Sequence, residues 1–240
     1  MSSDAIAYVL LSGGVDSATA VTRALVNHDT VRCVSVNYRQ RHLRELNSAQ
    51  QIAGHYGCRH EIIPILFPRT MLTDDSIDVP NVSYDEIDGV SPTYVPFRNG
   101  LMLSTLVSKI AGELLDPSRE GYEDFNKDVV IYWGAHAEDA ASWAYPDCTP
   151  EFIGAMANAI YVGTYHKIRL VTPFAASMKH EIISYGHSHG TPYELTWSCY
   201  QGGELHCGTC ATCRARREAF LRAGVPDPTA YVTSIRSTSK

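Results

Sequence analysis

Ser12-Gly13-Gly14-Val15-Asp16-Ser17 follows the apolar run Ala5 to Leu11 and precedes a segment in which Ala18, Val21, Ala24 and Leu25 recur at helical spacing. The order is strand, glycine turn, helix. Backbone N–H groups at such a turn, with the positive end of the helix dipole behind them, point at whatever binds there, so an anion is the expected occupant. Glycines at 13 and 14 let the chain turn tightly and approach a ligand, and the two serine hydroxyls add donors. A plain strand-to-helix turn is the simpler alternative, but the full six-residue pattern and its position favour a phosphate loop.

The cycle recurs along the chain. Arg32 to Asn37 reads as a second strand, Leu43 to Tyr56 as a helix, and Glu61 to Ile65 as a third strand. Further on, a helix is expected over Asn99 to Leu115, strands at Val129 to Trp133 and Ile168 to Val171, and a helix around Lys179 to Tyr185. Another helix should begin at Thr149-Pro150-Glu151, where a capping threonine precedes a proline at the first helical position. Residues 67–96 show no periodic element, in the manner of a lid or a disordered tip, and residues 116–128 form an acidic connection. Strands alternating with helices imply an α/β fold, a doubly wound parallel sheet, with ligands at the carboxyl ends of its strands. Residues 1–190 are expected to form that nucleotide-binding unit, and residues 191–240 a small C-terminal segment packed on it.

With 240 residues, 45% of them hydrophobic, the chain suffices for one substantial core. A net charge of -6 and a pI near 5.9 argue against a surface built to hold a nucleic-acid backbone, and a small-molecule partner is favoured. No basic segment leads into an apolar stretch near residue 1, and no run approaches the roughly 18 apolar residues of a membrane span. A cytoplasmic protein without membrane contact is expected, with a homodimer left open.

Of seven cysteines, Cys199, Cys207, Cys210 and Cys213 stand in the spacing C-x7-C-x2-C-x2-C. Four thiolates at about 2.3 Å complete a tetrahedral Zn2+ and leave no position for water, so one structural zinc is expected. The same ligands also suit an iron–sulfur cluster. The arginines that follow, Arg214, Arg216, Arg217 and Arg222, read as a solvated helical face, with RNA contact as the alternative.

The loop lacks the spacings of the Walker and dinucleotide fingerprints and resembles the S-G-G-x-D-S signature of the PP-loop ATP pyrophosphatases, an adenine nucleotide alpha hydrolase-like, Rossmann-like fold. More of the chain is similar to one family within them, the 7-cyano-7-deazaguanine synthases. The blocks that carry the resemblance are Asn37 to His42, Val95 to Asn99, Ala144 to Cys148, Thr172-Pro173 with Lys179 to Ile182, and Pro192 to Tyr200 with the cysteines after it. The resemblance implies an ATP-dependent ligase in queuosine biosynthesis. Such an enzyme turns 7-carboxy-7-deazaguanine and ammonia into the nitrile through an acyl-adenylate and an amide, with Mg2+ on the ATP phosphates.

Within that scheme Ser12, Gly13, Gly14, Asp16 and Ser17 meet the pyrophosphate, Leu11 joins them in binding ATP, and Lys179 and Arg98 act on the phosphates as cations. Asp16, Ser17, Arg98 and Lys179 are the catalytic candidates. Lys179 as a surface lysine, and Arg98 as a residue directly before a helix that pairs with a carboxylate, are the plainer readings. Asn37 and Tyr38 face the nucleoside. Gln40, Arg41, Tyr145 and Asp147 are assigned to the deazaguanine, since a purine-like base needs a stacking ring and paired donors and acceptors. Asp139 joins them on the substrate side, with Glu138 and Asp139 read as holding metal or the amine nucleophile, or as capping a helix; His136 is read as structural. The sequence departs from the family at Arg39 and over Gly134 to Asp139, near the mouth of the site. The acceptor is therefore open: an amine of a protein or another molecule is the alternative to ammonia, followed by another PP-loop synthetase or a non-catalytic zinc-ribbon module.

Overall fold

The computed structural model describes residues 4–38, 44–65, 94–116, 118, 127–141 and 145–232. Five strands, β1 (Ile6–Leu10), β2 (Thr30–Asn37), β3 (Arg59–Pro64), β4 (Val129–Tyr132) and β5 (Ile168–Val171), form a parallel sheet in the order β3-β2-β1-β4-β5. The chain winds outward from β1 to β3, then returns to lay β4 on the other side of β1. Strand order thus reverses between β1 and β4, where ligands of doubly wound sheets bind.

Alternation of side chains along the strands feeds two cores. Ile6 and Tyr8 of β1, with Val129 and Ile131 of β4, face Leu103, Leu106 and Ile110 of α3 (Arg98–Leu114) and Ile160 of α5 (Pro150–Gly163). Ala7, Val9, Val130 and Tyr132 point the other way. There they meet Ala18, Val21 and Ala24 of α1 (Val15–Asn27), Ala49 and Ile52 of α2 (Arg44–His55), and Ile182 of α6 (Lys179–Ser188). Small residues on α1 let it lie close to the sheet. Thr149 caps α5 as its sequence suggests, its hydroxyl accepting the Phe152 N–H at 3.3 Å.

The C-terminal part docks through α7 (Ala211–Ala223), whose Ala219 and Phe220 pack with Val15, Ile183 and Tyr193. Burying one such aromatic side chain stabilises the contact by roughly 1.5–3 kcal/mol.

Gly13 needs to be glycine twice over. Its φ is +91°, and a Cβ there would overlap the carbonyl oxygen of Glu45 and come within 3.0 Å of the Ala49 amide nitrogen. The loop after β1 therefore rests directly on the backbone of α2. Gly13→Ala is expected to cost about 1–3 kcal/mol from the left-handed backbone alone, with the overlap adding to it, which urea unfolding would measure.

Two readings from the sequence change. Arg98 is the first residue of α3, so it starts the helix instead of preceding it. Among the basic residues of α7, Arg216 is fully buried, not on a solvated face, because groups distant in sequence surround it. The expected lid over 67–96 lies outside the described residues except for 94–96, as do Gln40 and Arg41. Among the described residues no helix is long and apolar enough to cross a membrane.

Candidate active site

The phosphate loop is tied together by its serines. Ser12 and Ser17 hydroxyls lie 3.0 Å apart, Ser17 Oγ donates to the Gly14 carbonyl at 3.1 Å, and the Ser12 N–H donates to Ser17 Oγ at 3.2 Å. Leu11 below them is buried, its N–H bonded to the Val34 carbonyl, so the loop's base is fixed in the sheet. No side chain caps α1 at Gly14, which leaves the first-turn N–H groups of that helix for an anion.

Beside this N-terminus α6 begins with Lys179, whose ammonium lies 3.0 Å from Asp16 Oδ2. Burial works to raise the Asp16 pKa, but the Lys179 charge, then His136, outweigh it and hold the carboxyl below its ordinary value. Lys179 is likewise held above its ordinary value, with Asp16 outweighing burial. The pair is thus kept ionised. Asp16 Oδ1 is buried and has no hydrogen-bond partner among the described residues, an oxygen of the kind Mg2+ takes.

The end of β4 supplies the opposite wall. His136 is buried, its Nε2 3.7 Å from Asp16 Oδ2 and 3.4 Å from Asp139 Oδ2. Close approach is possible because Gly134 has no side chain: a Cβ there would lie 3.0 Å from the Asp16 carbonyl carbon. Glu138, on α4 (Ala137–Ala140), does cap a helix, but α6 and not its own: its Oε1 accepts the Lys179 backbone N–H at 3.0 Å. Asp139 is partly exposed, and burial raises its pKa against the pull of His136 and Lys179.

Toward α3, Arg98 lies within electrostatic reach of Tyr38, Asp147 and Tyr200, and also of Asp139. Tyr145 is half-buried, with its N–H on the Asp139 carbonyl. Asp147 is 4% exposed, and its Oδ2 accepts the Asn99 N–H at 2.9 Å, holding the first turn of α3. Asn37 ends β2, and Tyr38 follows it toward Arg98. The fold thus brings Asp16, Lys179, Asp139, Arg98, Tyr38, Tyr145 and Asp147 to one end of the sheet. Tyr200, which no role in the sequence suggested, joins them from beyond Cys199: Tyr145, Arg98, Glu45 and Lys179 all act on its hydroxyl.

The four cysteine sulfurs lie within 4.8 Å of one another. Backbone N–H groups already converge on them, Gln201 and Cys207 on Cys199 Sγ at 3.4 and 3.3 Å, Thr209 and Cys210 on Cys207 Sγ at 3.4 and 3.3 Å. Burial opposes the Cys207 thiolate, but the Thr209 and Cys210 N–H groups outweigh it and bring its pKa down to about 6. Four convergent sulfurs with N–H groups directed at them form a site for a zinc ion. The cluster is fixed to the core by Arg216, which donates to Thr196 Oγ1 at 2.7 Å, to the Tyr193 carbonyl at 3.1 Å and to Asp227 at 3.2 Å. Arg216→Ala leaves the mostly buried Asp227 carboxylate without its cation, with bonds only from Thr229 and Tyr231 among the described residues, and is expected to cost about 3–5 kcal/mol in urea unfolding.

A parallel doubly wound sheet with an S-G-G-x-D-S loop at its switch point is the arrangement of a PP-loop nucleotide-binding protein. Residues 6–224 match the family described as queuosine biosynthesis protein QueC, and the chain belongs to that family. Proteins named 7-cyano-7-deazaguanine synthase are similar to it over nearly their whole length. That of Ruegeria pomeroyi is 38% identical over 93% of both chains, and that of Brucella anthropi is 40% identical over 93% of this chain and 92% of its own. The Thermoplasma acidophilum protein of the same name is 38% identical over 94% of this chain and 91% of its own.

Proposed function

We propose that this chain is a carbon–nitrogen ligase that uses ATP to convert 7-carboxy-7-deazaguanine and ammonia into 7-cyano-7-deazaguanine, releasing AMP and pyrophosphate. The observation that carries this reading is the Lys179–Asp16 pair beside the uncapped N-terminus of α1, in a chain whose family relatives bear that synthase name.

A carboxylate is a poor electrophile until one of its oxygens takes AMP from ATP. Negative charge then moves onto the departing pyrophosphate, where the loop N–H groups, the Ser12 and Ser17 hydroxyls and Lys179 stabilise it. Asp16 orients Lys179, and Arg98 faces the phosphates from α3. Mg2+, when bound at the open oxygen of Asp16, would neutralise further phosphate charge. Ammonia displaces AMP to give the amide, and a second AMP on the amide oxygen leaves with loss of the N–H protons to give the nitrile. Asp139, within electrostatic reach of both Lys179 and Arg98, is the carboxylate available to hold the incoming amine. Tyr38 and Asn37 serve the nucleoside, while Tyr145 and Asp147 serve the deazaguanine together with Gln40 and Arg41. Most of the rate gain comes from positioning these reactants without covalent help from the protein. Zinc at Cys199, Cys207, Cys210 and Cys213 holds structure only.

Analysis of the nucleotide products formed from the acid, ATP and ammonium tests the reading. AMP and pyrophosphate are expected, since a loop that grips the β and γ phosphates exposes the α phosphorus. ADP and phosphate would refute it, and an amide formed only on an added protein would make that protein's amine the acceptor.

A further inference from the structure

Gly13 is gripped from both sides. On one side lies the α2 backbone at Glu45 and Ala49. On the other, the Trp197 N–H donates to the Gly13 carbonyl at 2.9 Å. The strap that carries Trp197 is fixed at each of its four residues. Thr196 Oγ1 donates to the Tyr193 carbonyl at 2.6 Å and accepts from Arg216. The Trp197 indole N–H reaches the Cys199 carbonyl at 2.9 Å, and its ring packs on His206 with centroids 4.2 Å apart and beneath the Arg44 guanidinium at 5.1 Å. The Ser198 N–H donates to His206 Nε2 at 3.1 Å. Cys199 belongs to the sulfur cluster.

The consequence follows from peptide geometry. The Gly13 carbonyl and the Gly14 N–H share one planar trans peptide and point in opposite directions. Anchoring the oxygen on Trp197 therefore aims the Gly14 N–H at the inner side of the loop. There its only partner among the described residues is Ser12 Oγ, at a long 3.4 Å, which leaves it open to a stronger acceptor. Glycine at both positions makes this peptide the one most easily rotated in the loop, so it needs an outside hold.

We propose that Trp197 is a positioning residue for the phosphate loop, tying the Gly13–Gly14 peptide to the four-cysteine cluster so that the Gly14 N–H faces the pyrophosphate. The proposal rests on the reading that residues 12–17 bind the ATP phosphates. It separates the two ends of the nucleotide: pyrophosphate depends on the strap, whereas the adenosine of AMP does not.

Equilibrium binding of ATP, pyrophosphate and AMP to the full chain tests it, with zinc content and thermal unfolding measured on each sample. Trp197→Phe keeps a ring against His206 and loses the bond to Cys199, whereas Trp197→Ala loses both. Both variants keep the backbone N–H to Gly13 and loosen only the side-chain hold that aims it, by the indole bond to Cys199 and, for alanine, the ring contact with His206. ATP and pyrophosphate should therefore weaken by roughly three- to tenfold, more so for alanine. AMP should stay within about twofold of wild type with one zinc per chain. Unchanged pyrophosphate affinity, or equal weakening of AMP, would overturn the proposal. If alanine loses zinc or unfolds, phenylalanine decides; zinc lost from both would make Trp197 a folding residue alone. Wild type that binds AMP but not pyrophosphate would remove the loop assignment itself, and this inference with it.

Discussion

Lys179→Ala is expected to slow formation of AMP and pyrophosphate by roughly 100- to 1,000-fold, the range seen when one preorganised donor to a developing charge is removed. The ammonium is 3.0 Å from Asp16 Oδ2 and stands beside an α-helix N-terminus, the place where, in the proposed reaction, charge grows as pyrophosphate leaves. Losing it removes the group that holds the Asp16 carboxyl below its ordinary value, leaving burial opposed by His136 alone among the charged partners. Asp16→Asn attacks the same pair from the other side, and Ser17→Ala removes the hydroxyl that links Ser12 to Gly14. All three variants should keep the wild-type far-ultraviolet circular dichroism, because none of these side chains lies in either sheet-face core. Single-turnover rates for each variant check the expectation. Rates near wild type for both Lys179→Ala and Asp16→Asn would show that the phosphates sit elsewhere.

Cys210→Ser is expected to abolish stable binding of the one zinc per chain and to unfold the segment around it. Thiolate binding stabilises only the folded arrangement, with apparent energies on the order of 10–16 kcal/mol in small zinc modules, so loss of one ligand removes a term larger than local packing replaces. Trp197, Cys199 and Cys213 form only a small apolar cluster, with the partly buried Cys207, Cys210 and Tyr231 packed against it. Cys33→Ser and Cys58→Ser lie in and against the sheet core, far along the chain from the cluster, and should retain zinc. Metal content of the three variants, read beside their thermal unfolding, distinguishes these outcomes. Iron with visible absorbance in the wild type would replace zinc with a cluster.

What could be read before the structure was local. The phosphate loop occupies six consecutive residues, the cysteines fall within fifteen, and the uninterrupted apolar runs at β1 and β4 mark buried parallel strands, so each signal lies within a short stretch of chain. The pairing of Lys179 with Asp16 spans 163 residues, and only the family resemblance joined them. In the sequence Glu138 reads as a holder of metal or of the amine nucleophile, or as a helix cap; that the helix it caps is α6 depends on how β4 and α6 meet. Arg216 looks like its exposed neighbours in sequence, and its burial comes from Thr196, Tyr193 and Asp227 converging on it. Trp197 gave no signal beyond its place near Cys199, because its bond to the loop uses the backbone, which any residue but proline carries.

The most direct test is mass spectrometry of the product formed from 7-carboxy-7-deazaguanine, MgATP and 15N-labelled ammonium, with AMP counted in the same reaction. The account predicts a nitrile that retains one labelled nitrogen, with two AMP released for each molecule formed, one from the acyl-adenylate and one from the activated amide. An amide that accumulates with a single AMP, or a reaction that yields ADP, would contradict it.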